Sequence, residues 1–506
     1  MLACIKSVAC VGLQSFPVDV EVDVAEKGFP GFNIVGLPDK AVGEARERVR
    51  TALVNCGFAF PQKKITVNLA PADLPKEGSA YDLPIAIGIL AANGDVAMKE
   101  LGIFFGELSL DGSLRHTKGA LLLAIFAKRV GFKKIFVPIE SANEAAVVAG
   151  VEVVPVRGLK DLVEHLREIK IIKSLKTIMI KSLVETASPD FDMAEIVGQE
   201  TAKRALMIAA AGGHNILMSG PPGSGKTMLS RALPGVMPTL TEEETMEVTR
   251  IYSSAGLMQP GEAVVRRRPF RSPHHSTSLA GLIGGGSHPV PGEVSLAHLG
   301  VLFLDEMAEF PRGVLEAMRQ PMEDGKVEIA RAMSRVTYPA AFQLVAAVNP
   351  CPCGFLGHPT HECKCTVRDI ERYKRRISGP ILDRIDLHIN VPAVDAEKII
   401  GSVEKGESSF VIRERVMKAR KMQSERLVNT GIFCNAQMKN KLVKEFCRLD
   451  VGGVRILRLS MEKFDLSARA FFRVLKVART VADLEGSADI LSVHLAEALQ
   501  YRERVF

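Results

Sequence analysis

The stretch NILMSGPPGSGKTMLSRALPG, Asn215–Gly235, decides the fold of the middle of this chain. The apolar run NILMS predicts a buried strand, and TMLSRALP predicts a helix. Between them, Gly220 to Thr227 have the spacing G-x-x-x-x-G-K-[ST]. A glycine-rich loop between a strand and a helix N-terminus lets backbone N–H groups converge on phosphates. The stretch therefore predicts a P-loop in an α/β sheet, and a glycine-rich turn with a chance lysine is the alternative.

The same loop supplies the side chains that a nucleotide needs. The charge of Lys226 can neutralise β- and γ-phosphate oxygens, and the hydroxyl of Thr227 suits Mg²⁺. The predicted nucleotide contacts of this segment are Gly220, Pro221, Pro222, Gly223, Ser224, Gly225, Lys226, Thr227 and Met228. ATP and Mg²⁺ are therefore the predicted cofactors.

Two later apolar runs end in polar residues. GVLFLDEM, Gly300–Met307, is a continuous apolar run typical of buried parallel strands, and it ends in Asp305 and Glu306. Ligands bind at the C-terminal ends of such strands. We therefore predict that Asp305 reaches Mg²⁺ and that Glu306 is the general base for the attacking water. FQLVAAVNP ends in Asn349, which is predicted to orient that water, while a strand ending in an acidic turn is the alternative for the acidic pair.

The composition is that of an ordinary globular protein. The 506 residues are 47% hydrophobic and 24% charged, with a formal net charge of +7. That length predicts several domains, and the charge permits a polyanionic partner without requiring one. No apolar run reaches the roughly 18 residues of a membrane span, and MLACIKSVACVG lacks the pattern of a signal peptide. We expect a cytoplasmic protein with no membrane partner.

The pattern of elements changes along the chain and predicts three domains. Residues 1–165 alternate short strands and helices, and the lysine-rich stretch 166–189 is predicted to be a linker. Residues 190–394 carry the P-loop and the apolar strands. Residues 395–506 are mainly helical, with Ser467–Gly486 as the clearest amphipathic helix.

Four cysteines lie in one short loop after Asn349. They are Cys351, Cys353, Cys363 and Cys365, spaced C-x-C, nine residues, C-x-C. Structural zinc sites usually have wider C-x₂₋₄-C pairs, but four neighbouring thiols in a reducing compartment favour a tetrahedral soft-metal site. We predict a structural Zn²⁺ on this insertion, residues 351–365. Ligation by His358 or His361, metal-free thiols and reversible disulfides remain open.

Several longer segments carry a family resemblance. They are FRSPHHSTSLAGLIGGG (Phe270–Gly286), PGEVSLAHLGVLFLDEMAEF (Pro291–Phe310), VNPCPCG (Val348–Gly354), SGPILDRIDLHI (Ser378–Ile389) and SARAFFRVLKVARTVADL (Ser467–Leu484). Together they resemble the YifB/ComM family of magnesium-chelatase-like AAA+ ATPases. N-terminal segments such as VNLAPADLPKEGSAYDLPIAIGIL extend the resemblance over nearly the whole chain. It implies an α/β multidomain fold: a Lon-protease/ribosomal-S5-like α+β domain, a P-loop AAA+ α/β core and a C-terminal helical lid.

The resemblance also implies how the nucleotide site is completed. Members of this family are expected to form hexameric rings with ATP between subunits. Arg384, in LDRID, matches the arginine finger that reaches a neighbouring subunit's γ-phosphate, a role suited to a fixed charge. Arg469, in SARA, matches the sensor-2 arginine, and Ile196 and Val197 match the segment that packs near adenine. An ion pair with an adjacent aspartate is the alternative for Arg384, and a surface charge is the alternative for Arg469.

The N-terminal segment resembles the Lon-type peptidase domain without its catalytic pair. In PKEGSAYDLP, Pro75–Pro84, the position of the nucleophile falls on Ala80, with Ser79 one residue early. The position of the lysine falls near Leu123. Because a Ser–Lys dyad needs a hydroxyl and an amine in contact, we expect no peptidase activity.

Three basic segments are candidates for DNA contact. They are Arg266, Arg267, Arg268 and Arg271 in RRRPFR; Arg368, Arg372, Lys374, Arg375 and Arg376 in VRDIERYKRR; and a predicted hairpin, Gly325–Pro339, with Arg331 and Arg335 beside the tip Ala332–Ser334. By family comparison the hairpin faces the pore of the ring. Basic groups can hold a phosphate backbone without reading sequence, and solvated faces or ion pairs between subunits are the alternatives.

The function implied by the resemblance is an ATP-dependent, ring-forming DNA motor. It would be a helicase that promotes branch migration during recombination and natural transformation. Its partners would be single-stranded or branched DNA, bound without sequence specificity, and recombination proteins. The alternatives are an AAA+ remodelling or chelatase-type motor with a protein client, and a scaffold without enzymatic activity.

Overall fold

The N-terminal part begins with two long strands, and buried residues alternate with more exposed ones along the second of them. The computed structural model describes residues 1–25, 29–98, 102–185, 190–286, 289–330, 335–358, 360–393, 406–464 and 467–502. The strands of the N-terminal part are β1 (Leu2–Val11), β2 (Gln14–Val24), β3 (Gly31–Val35), β4 (Lys64–Ala70), β5 (Ile103–Phe104), β6 (Glu107–Leu108), β7 (Leu114–Arg115), β8 (Lys134–Pro138) and β9 (Glu152–Val156). The helices are α1 (Lys40–Asn55), α2 (Asp82–Asn93), α3 (Ala120–Val130), α4 (Ile139–Ala145) and α5 (Leu159–Leu166).

Seven of these strands form one mixed sheet in the order β3-β4-β2-β1-β5-β8-β9. The pairs β1–β2 and β2–β4 are antiparallel, and the other pairs are parallel. Helix α2 is apolar on every side because it is buried against β1 and β2. This is an α+β domain with its helices packed on the sheet.

The stretch predicted as a linker is packed where the structure describes it. Leu175 forms a β-bridge with Val153, and helix α6 (Ile180–Glu185) follows. Ile180 and Val184 are buried in the same apolar cluster as helix α3. This part of the chain therefore packs on the N-terminal domain through apolar contacts.

The middle of the chain is built on a parallel sheet. The strands of this middle part, five of which form that sheet, are β10 (Ile216–Ser219), β11 (Phe270–Arg271), β12 (Gly284–Gly285), β13 (Val290–Pro291), β14 (Val301–Leu304), β15 (Lys326–Ala330), β16 (Arg335–Pro339), β17 (Gln343–Val348) and β18 (Leu387–Asn390). Its helices are α7 (Glu200–Gly212), α8 (Lys226–Val236), α9 (Glu242–Ala255), α10 (Leu279–Ile283), α11 (Glu293–Leu296), α12 (Arg312–Ala317), α13 (Arg319–Asp324), α14 (Val367–Lys374) and α15 (Gly379–Leu382). The sheet order is β11-β14-β17-β10-β18, and all neighbouring pairs are parallel.

The last part is helical. Its helices are α16 (Ser409–Arg426), α17 (Asn440–Phe446), α18 (Val451–Phe464), α19 (Ala468–Leu484) and α20 (Ser492–Gln500). Helix α19 buries Val474, Val477 and Val481, as the amphipathic pattern predicted, and it shares one apolar cluster with helices α7 and α8. The predicted fold class is confirmed: an N-terminal Lon-like α+β domain, a P-loop α/β core and a C-terminal helical lid. The predicted boundary at 394 lies outside the described residues.

In the described part of the chain, the N-terminal domain contacts the core around helix α3 and at the turn between β1 and β2. Ala263 and Val264 of the core lie in the apolar cluster of helix α3, and Asn143 donates a hydrogen bond to the carbonyl oxygen of Gly261 at 2.8 Å. At the second place, the turn between β1 and β2 lies on the hairpin β15–β16. A Cβ atom added to Gly12 would stand 2.3 Å from Cγ1 of Val336.

Candidate nucleotide site and cysteine cluster

The phosphate loop joins β10 to helix α8, as the sequence predicted. Lys226 is 8% exposed, and its Nζ donates hydrogen bonds to the carbonyl oxygens of Gly220 at 2.7 Å and Pro221 at 2.8 Å. Burial lowers the pKa of Lys226, while the charges of Asp305 and Glu306 oppose that shift. The amine is therefore held inside the loop, where phosphate oxygens would replace the two carbonyl acceptors.

Thr227 and Asp305 meet at the position predicted for magnesium. The Thr227 hydroxyl donates a hydrogen bond to Oδ2 of Asp305 at 3.1 Å. Asp305 follows β14, and its Oδ1 accepts a hydrogen bond from the backbone N–H of Glu306 at 3.0 Å. Oxygen ligands from one hydroxyl and one carboxylate fit Mg²⁺, which usually keeps several waters and binds phosphates as well. The donor set therefore suits the ion that the sequence predicted.

Glu306 stands beside this pair in an uncommon backbone conformation. Its φ is 49°, in the left-handed region, and such conformations in residues other than glycine cluster at active sites. Its Oε2 is 3.7 Å from Nδ1 of His275, which itself lies edge-on to Phe310. His275 was not singled out from the sequence, because it lies 31 positions before Glu306 and only the fold brings them together.

Asn349 lies between the other two motifs because of the sheet order. It follows β17, and β17 is flanked by β14 and β10. The carboxyl ends of three neighbouring parallel strands thus carry the phosphate loop, Asn349 and the acidic pair along one edge. The arrangement suits the predicted role of Asn349, which stays a prediction.

The predicted adenine segment is also close to the phosphate loop. Ile196 is buried and Val197 is half-buried, whereas Met228 is exposed on the first turn of helix α8. Gln199 links the two segments because its side-chain amide donates to the carbonyl oxygen of Ser224 at 3.3 Å and of Pro392 at 2.8 Å. No sequence pattern indicates that bridge, because the two residues that Gln199 contacts are 25 and 193 positions away.

Arg384 is buried and ion-paired, but not with the adjacent aspartates. Its guanidinium donates to Glu323 and, at 2.7 Å, to the carbonyl oxygen of Pro380. Nε of Arg384 is buried and has no hydrogen-bond partner among the described residues. The carboxylate of Glu323 is 59% exposed, so the pair lies at the surface and can open toward another molecule.

Arg469 lies next to Arg384. Both line one surface cavity together with Glu323, Asp383 and Lys476, and none of the residues that line it belongs to the phosphate loop. Arg469 is exposed at the start of helix α19. The structure therefore places the two predicted arginines in one cavity that the phosphate loop of their own chain does not line.

The four predicted cysteines form a cluster. Their Sγ atoms all lie within 4.8 Å of one another, and the pairs Cys351–Cys353, Cys351–Cys363 and Cys353–Cys363 are 3.4, 3.6 and 3.6 Å apart. Four sulfurs bound tetrahedrally at about 2.3 Å from zinc would be about 3.8 Å apart. The N–H of Phe355 lowers the pKa of the Cys353 thiol to about 6, whereas the pKa values of the Cys363 and Cys365 thiols are raised, so one thiolate is favoured before an ion binds. The cluster could therefore hold a metal ion.

The geometry of this loop bears on the alternatives to a site with four cysteine ligands. All nine cysteines of the chain are free thiols in this structure. His358 and His361 lie outside the cluster and pack on Phe355, with ring centroids 5.6 and 5.1 Å away. Four thiolates around one ion would leave no open position, which describes a structural site.

The basic segments differ in how their charges are used. Arg268 donates to the carbonyl oxygen of Leu299 at 2.6 Å and to Glu244 at 3.1 Å. Arg271 binds both carboxylate oxygens of Glu293, at 2.6 and 2.7 Å. These two arginines stabilise the core, which agrees with the ion-pair alternative.

Other charges of these segments remain accessible. Arg372 and Arg375 form exposed ion pairs with Asp369 and Glu371 at 3.1 and 3.7 Å. Such pairs contribute little in water, so phosphates could replace the carboxylates. The predicted hairpin is β15–β16, with exposed Arg335 paired to Ala330 at its described end. Arg331 and the tip, 332–334, lie outside the described residues.

The peptidase positions of the N-terminal domain are apolar. Ala80 and Leu123 are buried in the same apolar cluster. Ser79 donates its hydroxyl hydrogen to Glu107, an acid instead of a lysine. A Ser–Lys dyad needs an amine that accepts the proton of the hydroxyl, and these positions do not supply one.

The fold and the site define a class of protein. A phosphate loop, an acidic pair and a polar residue lie on three neighbouring parallel strands, and a helical lid follows: this is a P-loop ATPase of the AAA+ class. Comparison with known families agrees. Residues 192–399 match the family model "Magnesium chelatase, subunit ChlI", residues 20–141 match "Subunit ChlI of Mg-chelatase", and residues 406–502 match "Magnesium chelatase, subunit ChlI C-terminal".

Similarity to individual proteins assigns the chain to a narrower family. It is 44% identical to competence protein ComM of Haemophilus influenzae, over 100% of this chain and 98% of that protein. It is 42% identical to YifB of Escherichia coli, over 99% and 97%. At greater distance, it is 24% identical to the Holliday junction branch migration complex subunit RuvB of Rhodopirellula baltica, over 54% and 65%. The chain belongs to the ComM/YifB family of magnesium-chelatase-like AAA+ proteins.

Within the described ranges, no helix has the length and apolar character needed to cross a bilayer.

Proposed function

We propose that this protein hydrolyses ATP at the interfaces of a hexameric ring and uses the energy to move DNA strands. The observation that carries the proposal is the position of Arg384 and Arg469. Both line one cavity without any residue of the phosphate loop. Within one chain, the phosphate loop and the two arginines therefore belong to different surfaces. A head-to-tail ring unites them at each interface.

At such an interface, different residues of the chain have different roles in ATP hydrolysis. Lys226 and the backbone of the loop hold the phosphates, and Thr227 with Asp305 holds Mg²⁺, which neutralises developing charge when bound. Glu306 takes a proton from the attacking water, which Asn349 orients. Arg384 and Arg469 of the adjacent subunit supply positive charge toward the transferring phosphoryl oxygens. Most of the catalysis is positioning and electrostatic stabilisation.

DNA is the proposed client because of the positive charge of the chain and the names of two relatives. The chain carries a net charge of +7, and exposed Arg335 lies on the hairpin β15–β16. One relative is named a competence protein and another a branch migration subunit. We propose a helicase that promotes branch migration in recombination and natural transformation. It would act in the cytoplasm on single-stranded or branched DNA, together with recombination proteins.

The cysteine cluster is proposed to bind a structural Zn²⁺. The sulfur distances of 3.4–3.6 Å are close to those of a tetrahedral zinc–thiolate site. The ion would fix the loop that follows Asn349. It takes no part in the chemistry of ATP.

A protein client is the second candidate. It is favoured by the internal ion pairs of Arg268 and Arg271, which remove two charges from the proposed DNA surface. A motor of this kind would respond to a protein partner and not to DNA.

Steady-state ATPase measurements separate the two candidates. Single-stranded, duplex and four-way-junction DNA are added at low and at moderate salt, with Lys226→Ala as the blank. Stimulation by DNA that weakens as salt rises supports the DNA motor, because phosphate contacts are salt-dependent. ATPase activity that no DNA changes contradicts the DNA motor and leaves the protein client.

A further inference from the structure

A second cavity lies at the far end of helix α8 from the phosphate loop. Helix α8 begins at Lys226, and its last turn lines the cavity with Pro234 and Gly235. At 1.5 Å per residue the two ends are about 15 Å apart. The cavity has a volume of about 330 Å³, within the range of small-molecule sites. No residue of the phosphate loop lines it.

The lining of this cavity is strongly basic. Among the described residues its lining contains Arg231, Arg266, Arg267, Arg268 and Arg413, with Asp190 as the acidic residue. Because Glu244 also pairs with Arg268, these five positive charges face two negative charges, which leaves a net charge of +3 around a small space. Such a density of like charge favours an anionic ligand with more than one negative charge.

Two of the five arginines are engaged by acids. Arg268 is fixed by Glu244 and by backbone carbonyl oxygens, so it serves the fold. Arg267 pairs with Asp190, whose side chain is 75% exposed, and an exposed pair of this kind is weak. Arg267 can therefore exchange its carboxylate partner for a ligand.

The remaining three arginines are available. The guanidinium of Arg231 lies 5.3 Å from the ring centre of Phe191, and Arg266 is exposed. Nε of Arg413 is buried and has no hydrogen-bond partner among the described residues. The nearby acid, Asp192, already accepts hydrogen bonds from the N–H groups of Ala194 and Ser409. Buried donors normally have partners, so the orphaned Nε points to a missing acceptor.

The cavity also has an apolar side. Phe191, Phe270, Met237, Pro238 and Leu240 line it. Phe270 is itself held by stacking on Phe303, with ring centres 5.9 Å apart. Aromatic and apolar walls beside arginines suit a ligand with a flat ring at one end and phosphates at the other.

We propose that this cavity binds a free nucleoside polyphosphate, separately from the ATP site. The phosphates would lie among Arg231, Arg266 and Arg413, and the base would lie against the apolar wall. The inference does not depend on the phosphate loop or the hairpin, because no residue of either takes part; Arg266 and Arg267 are shared with one basic segment considered for DNA contact. A volume of about 330 Å³ suits a small ligand better than a nucleic acid strand.

The test uses the full chain with Lys226→Ala, which disables the phosphate loop. Fluorescent N-methylanthraniloyl ATP and GTP are titrated by anisotropy, with pyrophosphate as competitor. We expect saturable binding of at least one of them, weakened about tenfold by adding Arg413→Ala or Arg266→Ala, since each removes a charge-assisted contact. Arg415→Ala is the matched control, because Arg415 lies on the same helix and pairs with Glu407 outside the cavity.

Three results would overturn the proposal. One is the absence of saturable nucleotide binding in the Lys226→Ala chain, and another is equal nucleotide affinity of the Arg413→Ala and Arg415→Ala variants. A third is tighter binding of a labelled oligothymidylate through the same arginines, which would assign the cavity to a DNA strand. Arg266 is exposed, so Arg266→Ala keeps the test valid if Arg413→Ala impairs folding, as thermal unfolding will show.

Discussion

Gly354 of the cysteine loop lies directly against Pro222 of the phosphate loop. A Cβ atom at position 354 would stand 2.7 Å from Cδ and 2.9 Å from Cγ of Pro222. The same Cβ would also lie 3.9 Å from Cγ of Asn349. The loop that carries the thiol cluster is therefore a wall of the nucleotide site, and its conformation affects the loop that would hold the phosphates.

Gly354→Ala should weaken ATP binding about tenfold. The added methyl group must displace Pro222, and backbone N–H groups of the phosphate loop would move with it. Gly357→Ala is the matched control, because both glycines have a positive φ, of 83° and 76°, but nothing lies within 4 Å of a Cβ at position 357. Titration with a fluorescent ATP analogue measures both. Equal affinities for the two variants would show that the contact does not matter.

The thiol cluster should bind about one zinc ion per chain. Cys353→Ser should abolish that binding and lower the melting temperature by several degrees, because the bound ion stabilises only the folded loop. Acidification should release the ion, since zinc binds thiolates. Metal analysis of the purified protein measures the content, with Cys4→Ser, an exposed thiol outside the cluster, as control. A full zinc content in Cys353→Ser would show that the ion lies elsewhere.

Glu306→Gln should bind ATP normally and hydrolyse it 10²–10⁴-fold more slowly, the usual loss when a general base is removed. The amide keeps the shape of the side chain and cannot accept the proton of water. Binding and single-turnover hydrolysis are measured separately. Glu309→Gln is the control, because Glu309 is three residues further on and pairs with Arg376. Hydrolysis at the wild-type rate in Glu306→Gln would assign the base to another residue.

The sequence predicted the parts of the site that are local. The phosphate loop lies within eight consecutive residues, and the acidic pair directly follows its strand, so spacing alone located them. The thiol cluster could also be predicted from the sequence, because only nine residues separate the two C-x-C pairs and this short spacing limits the distance between them. In each case the determining contacts are short-range.

Long-range contacts were not predictable in the same way. His275 meets Glu306, and Arg469 lines one cavity with Arg384, only through the placement of whole strands and helices. The arginine run from 266 to 271 looks uniform in the sequence. Its members differ because Glu244 and Glu293 are 24 and 22 positions from their arginine partners. A sequence pattern indicates which residues are charged, and the tertiary fold decides which charges are already neutralised.

The position of Arg469 beside Arg384 predicts that both act on a neighbouring subunit. Lys226→Ala and Arg469→Ala should each lose most ATPase activity as pure rings. Mixing them should restore about a quarter of the wild-type activity, because a random mixed ring unites an intact phosphate loop with an intact Arg469 at one interface in about four. The same mixture with Arg384→Ala should behave alike. No recovery on mixing would show that Arg469 serves the nucleotide of its own chain.

The turn between β1 and β2 should couple the N-terminal domain to the hairpin β15–β16. Gly12 lies against Val336, and Arg250 fixes the turn by donating to the carbonyl oxygen of Leu13 at 3.3 Å. Gly12→Ala would force the hairpin away, since its Cβ would stand 2.3 Å from Cγ1 of Val336. We expect stimulation of ATPase by DNA to fall several-fold, while activity without DNA changes little because the phosphate loop is untouched.

Gly57→Ala is the control for this variant. Both glycines have a positive φ, of 60° and 84°, so the backbone cost is similar, but no atom lies within 4 Å of a Cβ at position 57. Thermal unfolding of both variants shows whether the domain remains folded. If Gly12→Ala and Gly57→Ala respond to DNA equally, the contact with Val336 only supports the fold. A selective loss in Gly12→Ala would instead show that the N-terminal domain sets the position of the hairpin proposed to contact DNA.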